Sequence, residues 1–444
     1  MVNQSKIGSI IQKERDPVRI KRDRYLEALK RRMHNGIVKV ITGMRRSGKS
    51  YLLNEIFFDH LLSLGIDEEH IIKFAFDSAD DLALIGEDLL DLEQEGRKVD
   101  PKKFLAYIKK RVVDDGDYYL LLDEIQNLGS FESVLNGYLR KKNLDLYVTG
   151  SNSKFLSSDV LTEFEGRGDE IHVFPLSFSE FASAYKGSKE EAYEQYSFYG
   201  GLPLLMAIPG EEEKAKYLDS QVKKTYLKDI VTRYKIRGDG NIGELLDVLA
   251  SGIGGLTNPA KLESTFQSVK KTALSRMTIA KYIDYFTDAF LLSKALRYDV
   301  KGKRYIDTPF KLYFEDVGVR NARLGFRQVE PTHIMENIIY NELRYRGFNV
   351  DVGVVPCRKG EKGGNSLEVD FVATLGSKRY YIQSSYDIPS EEKWLQETRS
   401  LSTIRDSFKK IVIVRNPAVT RYNEEGIMII GLLDFLLDLN SLDR

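Results

Sequence analysis

The sequence predicts an α/β protein that opens with a mostly parallel sheet flanked by helices and continues into two smaller units. Three observations predict this. A glycine-bounded turn joins a buried strand to an amphipathic helix at 41–50, a second buried strand ends in two carboxylates at 123–124, and the residue pattern changes character near 235 and again near 327.

The run Ile37 to Ile41 reads as a short buried strand, and Lys49 and Ser50 open a helix whose apolar face runs through Leu52, Leu53, Ile56 and Phe57. Between them lies Gly43-Met44-Arg45-Arg46-Ser47-Gly48-Lys49-Ser50, a phosphate loop by the placement of its glycines, lysine and serine. Unpaired backbone N–H groups of the turn and first helical turn converge there on an anion. Lys49 brings a point charge to the β- and γ-phosphates of ATP, and the Ser50 hydroxyl is a ligand for Mg²⁺. The nucleotide-binding set is therefore Gly43, Arg45, Arg46, Ser47, Gly48, Lys49 and Ser50.

Tyr118 to Leu122 form a hydrophobic strand that stops at Asp123 and Glu124. Two acids at the carboxyl end of a buried strand are costly unless they meet a cation or water. Asp123 is assigned to Mg²⁺ together with Ser50, and Glu124 to the attacking water, which it orients or deprotonates.

Around these motifs the helix 17–35 presents an apolar face through Tyr25, Leu26, Leu29 and Met33. Its basic residues, among them Arg22, Arg31 and Arg32, form either a nucleic-acid-facing surface or a solvated helix face. Ile71 to Phe76 is the next strand, ending in Asp77; helices follow near 82–92 and from Pro101, and Phe131 to Leu139 is another. Leu144 to Val148 is a strand ending in Thr149-Gly150-Ser151-Asn152-Ser153, where Asn152, or Thr149 or Ser151 in its place, is a phosphate sensor or simply closes the strand in a polar turn. Arg167 stands between Gly166 and Gly168, either as a finger aimed at phosphate in the same or a neighbouring subunit or as a surface arginine.

Helical spacing then dominates 178–230, broken at Gly200-Gly201-Leu202-Pro203, and suggests a lid over the nucleotide-binding domain, which is placed at 1–235. From 236 to 326, three short helices and a hairpin with a charged turn at Lys301-Gly302-Lys303-Arg304 give the layout of a winged helix. Lys270, Lys271, Thr272, Ser275, Arg276 and Thr278 then lie at or near the start of its third helix, either to read DNA or within a module that only packs against protein. From 327 to 444 a helix at 333–346 and strands at 349–355, 367–374 and 379–385 bring Glu336, Glu368, Asp370 and Gln383 together in the manner of a metal-dependent nuclease. Ser385 occupies the place where such a centre carries a lysine, so robust cleavage is not expected; Lys378 and Arg379 are the nearest substitutes in sequence.

Composition narrows the class without choosing a partner. The 444 residues are 42% hydrophobic and 30% charged, with 66 basic and 66 acidic side chains, so net charge does not mark nucleic acid. The single cysteine, Cys357, excludes an intrachain disulfide, and the five histidines lack zinc spacing. No apolar run reads as a signal peptide or a bilayer span, and a cytoplasmic location with no membrane partner is expected.

Over nearly its whole length the chain resembles prokaryotic AAA-superfamily ATPases related to the archaeal ATPase clade, whose C-terminal half is a domain of unknown function with restriction-endonuclease-like character. The resemblance rests on the loop from Gly43, Leu-Leu-Leu-Asp-Glu-Ile-Gln from Leu120, Thr-Gly-Ser-Asn-Ser from Thr149 and Gly-Arg from Gly166. It continues through Phe-Pro-Leu-Ser-Phe-Ser-Glu-Phe from Phe174, Tyr-Gly-Gly-Leu-Pro from Tyr199, Glu-Asn from Glu336, Glu-Val-Asp-Phe from Glu368 and Tyr-Ile-Gln-Ser-Ser-Tyr from Tyr381. It implies nucleotide and Mg²⁺ at Lys49 and Ser50, strand acids at Asp123 and Glu124, a sensor at or beside Asn152, a finger at Arg167 and a winged-helix segment in the middle. Two functions are consistent with this: an ATPase whose C-terminal region engages DNA without robust cleavage, or an ATP-gated switch for a protein partner or for homo-oligomer assembly.

Overall fold

The computed structural model describes residues 20–151, 168–236, 240–270, 274–356, 366–388, 390–416 and 419–444. It divides into two compact units, one of residues 21–175 with 288–290, the other comprising the rest.

The first unit is built on five strands: β1 Val38–Thr42, β2 Ile71–Ala75, β3 Tyr118–Asp123, β4 Leu144–Thr149 and β5 Gly168–His172. They lie in the order β2-β3-β4-β1-β5, and every pair is parallel. Such a sheet is covered on both faces, which is why β1, β3 and β4 are buried at every position. One face packs Val40, Phe74, Leu120, Leu122 and Val148 against Phe104 and Ile108 of the helix Pro101–Arg111 and Leu135 of the helix Phe131–Tyr138. On the other face Lys39 is buried against Asp145, whose second oxygen accepts from the Tyr147 hydroxyl at 2.8 Å and the His34 amide at 3.0 Å. That pairing is needed because a lone buried charge would cost several kcal/mol. The acidic stretch 79–95 forms two helices, Ala79–Leu84 and Leu89–Glu95, since Gly86 turns the chain between them with φ +70°.

A sheet of nine strands organises the second unit. They are β6 Leu256–Thr257, β7 Leu292–Asp299, β8 Arg304–Phe314, β9 Asn349–Pro356, β10 Ser366–Leu375, β11 Lys378–Ser385, β12 Lys409–Val414, β13 Arg421–Tyr422 and β14 Met428–Gly431. Their order is β13-β14-β12-β11-β10-β9-β7-β8-β6. The helix Pro331–Tyr345 covers one face through Ile334, Ile338 and Leu343, and the helix Glu391–Thr403 covers the other through Leu401.

Two of the expected boundaries differ from this division. The helices Phe178–Ala184, Lys189–Tyr199, Glu211–Ser220 and Lys228–Arg233 belong to the second unit rather than forming a lid that completes a 1–235 domain. The second of them is held there by a short helix, Val317–Arg323, and its N-cap: the Gly201 amide donates to Asp316 at 2.7 Å, and the Asn321 amide group donates to the carbonyls of Ser197 and Phe198 at 3.1 and 2.9 Å. Nor does a break at 326/327 separate two domains. Strand β7 pairs in parallel with β9 from Arg297↔Val352 to Asp299↔Val354, so the hairpin and the acid-bearing strands share one sheet and one core.

The contact between Tyr199 and Gly318 is close enough to predict a consequence. A Cβ on Gly318 would lie 1.8 Å from the Tyr199 carbonyl oxygen, a backbone atom that cannot rotate away. Gly318→Ala is expected to destabilise the second unit by roughly 2 kcal/mol or more, read as a lower urea midpoint. An unchanged midpoint would show that the backbone approach is not tight in solution.

Candidate functional site

The phosphate loop leaves β1 at Thr42 and is shaped by contacts that only glycine permits. Gly43 has φ +138°, and a Cβ there would sit 2.2 Å from the carbonyl oxygen of Val173, in the segment that follows β5. Gly48 is left-handed at φ +98° and accepts from the Leu52 amide at 2.9 Å, so the helix begins at Lys49 with its first amides turned to the loop. The Lys49 ammonium is buried and donates to the carbonyls of Gly43 and Met44 at 3.0 and 2.9 Å, which holds its charge across the loop mouth. Ser47 is buried within the loop, while Arg45 lies close enough to Asp77 for its charge to lower that carboxyl.

Arg22 braces this loop. It is buried, donates to the Phe174 carbonyl at 2.6 Å and reaches the Ser47 carbonyl at 3.5 Å, with its guanidinium over the Tyr25 ring. Arg32 is paired with Asp169 at 2.6 Å. Neither expectation for the basic run, a nucleic-acid-facing surface or a solvated helix face, holds for Arg22: its long stem and planar head suit a buried cluster of carbonyls.

The acids meet the loop because parallel strands bring their carboxyl ends to one edge, with β4 seated between β1 and β3. The Thr149 hydroxyl donates to Asp123 and accepts from the Glu124 amide at 3.0 Å, so one side chain at the end of β4 fixes both acids of β3. Burial lifts the Asp123 carboxyl above its ordinary range, opposed by hydrogen bonds from Thr149 and Ser50 and by the Lys49 charge. Glu124 has φ +50°, and its carboxylate accepts from the Gln126 amide group and from the Ser151 hydroxyl at 3.4 Å. A hydroxyl and a carboxylate in hydrogen-bond contact beside a buried lysine are hard oxygen donors of the kind Mg²⁺ takes, so the residues present fit that ion.

In the second unit a separate cluster forms around Lys311 of β8. Its ammonium, on a side chain 5% exposed, lies 2.9 Å from Glu336, 2.9 Å from Glu368 and 3.9 Å from Asp370. The Tyr313 hydroxyl donates to Glu336 at 2.6 Å, and the Ser384 amide donates to Asp370 at 2.8 Å. Gln383 accepts from the Asp370 amide at 3.4 Å. Burial, reinforced by the Glu336 charge, pushes the Asp370 carboxyl up to about 7.

A family model described as an AAA domain matches residues 35–182, and one described as a domain of unknown function (DUF8612) matches residues 190–330. An uncharacterized protein of Haemophilus influenzae is 32% identical over 428 residues, covering 94% of this chain and 98% of its own. The chain belongs to the family of that Haemophilus protein. An uncharacterized protein of Methanocaldococcus jannaschii, MJ1544, is 25% identical over 406 residues, or 88% of this chain and 83% of that one. Among solved structures, the Aeropyrum pernix ORC1 protein in complex with DNA aligns over 70% of this chain and 94% of its own, with a TM-score of 0.33 and 11% identity. Cdc6p from Pyrobaculum aerophilum aligns over 73% and 97%, with a TM-score of 0.31 and 13% identity.

Within the AAA domain, which is an ATP-binding and ATP-hydrolysing domain, the structure brings Lys49, Ser50, Asp123 and Glu124 to one edge, with Thr149 and Ser151 beside the acids. Asn152 and Arg167 lie outside the described residues. A third acid, Asp77 just past β2, belongs with this group and carries no role in the sequence reading. Its carboxyl is raised by burial and then by the charges of Glu124 and Asp123, with Arg45 opposing. The usable signal was its position: an acid directly after a strand that turns out to neighbour β3. Lys311 was missed for a different reason, since it reads as an ordinary hairpin residue. The sequence neighbours Lys378 and Arg379 are engaged elsewhere, Lys378 with Asp443 at 2.8 Å and Arg379 over the rings of Tyr298 and Phe408. No helix among the described residues is long and apolar enough to cross a membrane.

Proposed function

We propose that the protein hydrolyses ATP with Mg²⁺ at the edge formed by the phosphate loop and β3, and that its C-terminal unit engages DNA without robust cleavage. The observation that carries the first part is the joining of Ser50 and Asp123, with Lys49 at the loop mouth and Glu124 held by Gln126 and Ser151. Lys49 and the loop amides bind the phosphates, Ser50 and Asp123 hold the ion, and Glu124 takes a proton from water or aligns it for attack. Mg²⁺, when bound, neutralises charge on the phosphate oxygens. Asn152 is assigned as sensor of the γ-phosphate and Arg167 as a finger toward phosphate, supplied within the same subunit or by a neighbouring copy in a homo-oligomer. ADP is the product retained or released.

The second part rests on the segment 236–326. A helix, short strand, two helices and a hairpin follow one another there, the arrangement expected of a winged helix. Ser275, Arg276 and Met277 are exposed at the start of the helix Arg276–Asp288, and Lys301, Lys303 and Arg304 are exposed at the hairpin turn. Lys271 and Thr272 lie outside the described residues, and the side chain of Lys270 is not described. Burial of Arg22 removes one cation from the basic run that could have faced DNA, which supports the second reading, an ATP-gated protein-assembly switch.

The two readings separate by titration. Fluorescence anisotropy with duplex and single-stranded DNA is expected to show binding that weakens with salt, and Arg276→Ala combined with Lys301→Ala and Arg304→Ala should lower the salt slope by about one unit per phosphate contact removed. Absence of binding at low salt would establish the switch reading instead. In the same preparations, supercoiled, linear and single-stranded DNA with Mg²⁺ or Mn²⁺ should remain uncut beyond a trace. Ser385 cannot provide a transition-state cation and the Lys311 ammonium is taken up by Glu336 and Glu368, and loss of such a cation costs roughly a hundred- to a thousandfold in rate. Rapid cleavage abolished by Asp370→Ala would refute the non-cleaving assignment.

A further inference from the structure

The cluster around Lys311 gathers three carboxylates from two elements around one side-chain cation. Glu336 comes from the helix Pro331–Tyr345, Glu368 and Asp370 from β10, and all three converge on one ammonium from β8. Its position is enforced on both sides. Asn337 clamps the end of β8 by accepting from the Phe314 amide at 2.9 Å and donating to its carbonyl at 2.8 Å, and Tyr313 presses its hydroxyl onto the same Glu336 oxygen that Lys311 reaches. Glu368 is 37% exposed, so the cluster is reachable from solvent on that side.

Buried carboxylates from two elements must share a cation or take up protons. A divalent ion satisfies this requirement in many proteins and keeps open positions for water or phosphate. An ammonium satisfies it differently: it has three N–H donors and no acceptor or vacant coordination position, so carboxylates saturate it. Among the described residues, no group of three or more His, Cys, Asp or Glu side chains is placed to hold a metal ion.

We propose that Lys311 is the resident cation of this cluster, an internal ammonium that neutralises Glu336, Glu368 and Asp370 in place of a divalent ion. It makes the C-terminal core independent of metal, and it rests on the reading of that unit as non-cleaving. Charge arithmetic supports it. Three carboxylates face one ammonium, Glu336 and Glu368 at 2.9 Å and Asp370 at 3.9 Å.

The test is Mn²⁺ titration of nucleotide-free full-length protein, followed by calorimetry and by thermal unfolding. Wild type is expected to show no saturable binding that Asp370→Asn removes. Lys311→Ala is expected to unfold several degrees lower, to gain one saturable Mn²⁺ site, to recover stability with Mn²⁺, and to lose both gains when Asp370→Asn is added. Lys311→Met, which keeps the stem volume, serves if the alanine variant does not fold, and wild type against Asp370→Asn decides in either case. Saturable binding in wild type that disappears in Asp370→Asn would overturn the proposal, as would a folded Lys311 variant that gains no site. Metal binding by wild type without DNA cleavage would overturn this inference alone, whereas cleavage would overturn the non-cleaving reading as well.

Discussion

Lys49→Ala is expected to weaken ATP binding about ten- to a hundredfold and to reduce turnover by a further hundredfold or more. Its ammonium is buried and held by the carbonyls of Gly43 and Met44, so its charge stands at the loop mouth before any phosphate arrives. A hydrogen bond to a charged group contributes roughly 1.5–3 kcal/mol, which converts to the binding change. The larger effect on turnover follows because charge shifts onto the β–γ bridging and γ-phosphate oxygens as the bond breaks, and a fixed cation stabilises that state more than the ground state. Nucleotide titration by calorimetry and a phosphate-release assay measure the two parts, with circular dichroism to confirm folding. Undiminished affinity in the variant would remove Lys49 from the phosphate site.

Glu124→Gln should leave ATP affinity nearly unchanged and lower turnover by about a hundred- to ten-thousandfold, the range for loss of a positioned general base. Glutamine keeps the shape and can still accept from Gln126 and Ser151, but it cannot take a proton. The variant also reports on its neighbours. Asp77 is raised partly by the Glu124 charge, so its carboxyl should move back toward the ordinary range, and the acidic limb of any residual rate should shift to lower pH. If Arg167 acts between subunits, mixing Glu124→Gln with Arg167→Ala protein will restore turnover, since some interfaces then pair an intact Glu124 with an intact Arg167. No recovery in demonstrably mixed oligomers would exclude that trans arrangement, and strong turnover in Glu124→Gln alone would remove the base assignment.

Raised carboxyls also set the sign of a stability effect. Asp77, Asp123 and Asp370 are held above their unfolded values, so between the ordinary range near 4 and the raised values the folded chain keeps protons that the unfolded chain has released. Their contribution to stability is complete below the ordinary range and is lost as pH rises, through about 7 for Asp370. A cation bound beside Asp123 opposes this loss at that site by favouring the charged form.

The loop, the strand acids and most strands were legible because each is written in consecutive residues. Gly43, Gly48, Lys49 and Ser50 define their turn and helix start locally, and Tyr118 to Asp123 combine a fully buried strand with an acid at its end. Strand order was not written there, and it is strand order that places Thr149 against Asp123 and Glu124 and sets Asp77 on the neighbouring strand end. Domain limits failed for a related reason. The charged, glycine-containing stretch near 235 looked like a boundary, but Asp316, Gly318 and Asn321 draw the preceding helices into the second unit through contacts more than a hundred residues apart in the chain.

By itself, then, the sequence determined the chemistry at the nucleotide end: a glycine turn that turns amides toward an anion, a lysine beside it, and acids at a strand terminus, all imposed by short-range backbone geometry. Only the tertiary structure decided which cations remain available. Arg22 is spent on loop carbonyls and Lys311 on three carboxylates, because a side chain's partner across a sheet depends on register and strand order, neither of which is visible from its neighbours in the chain.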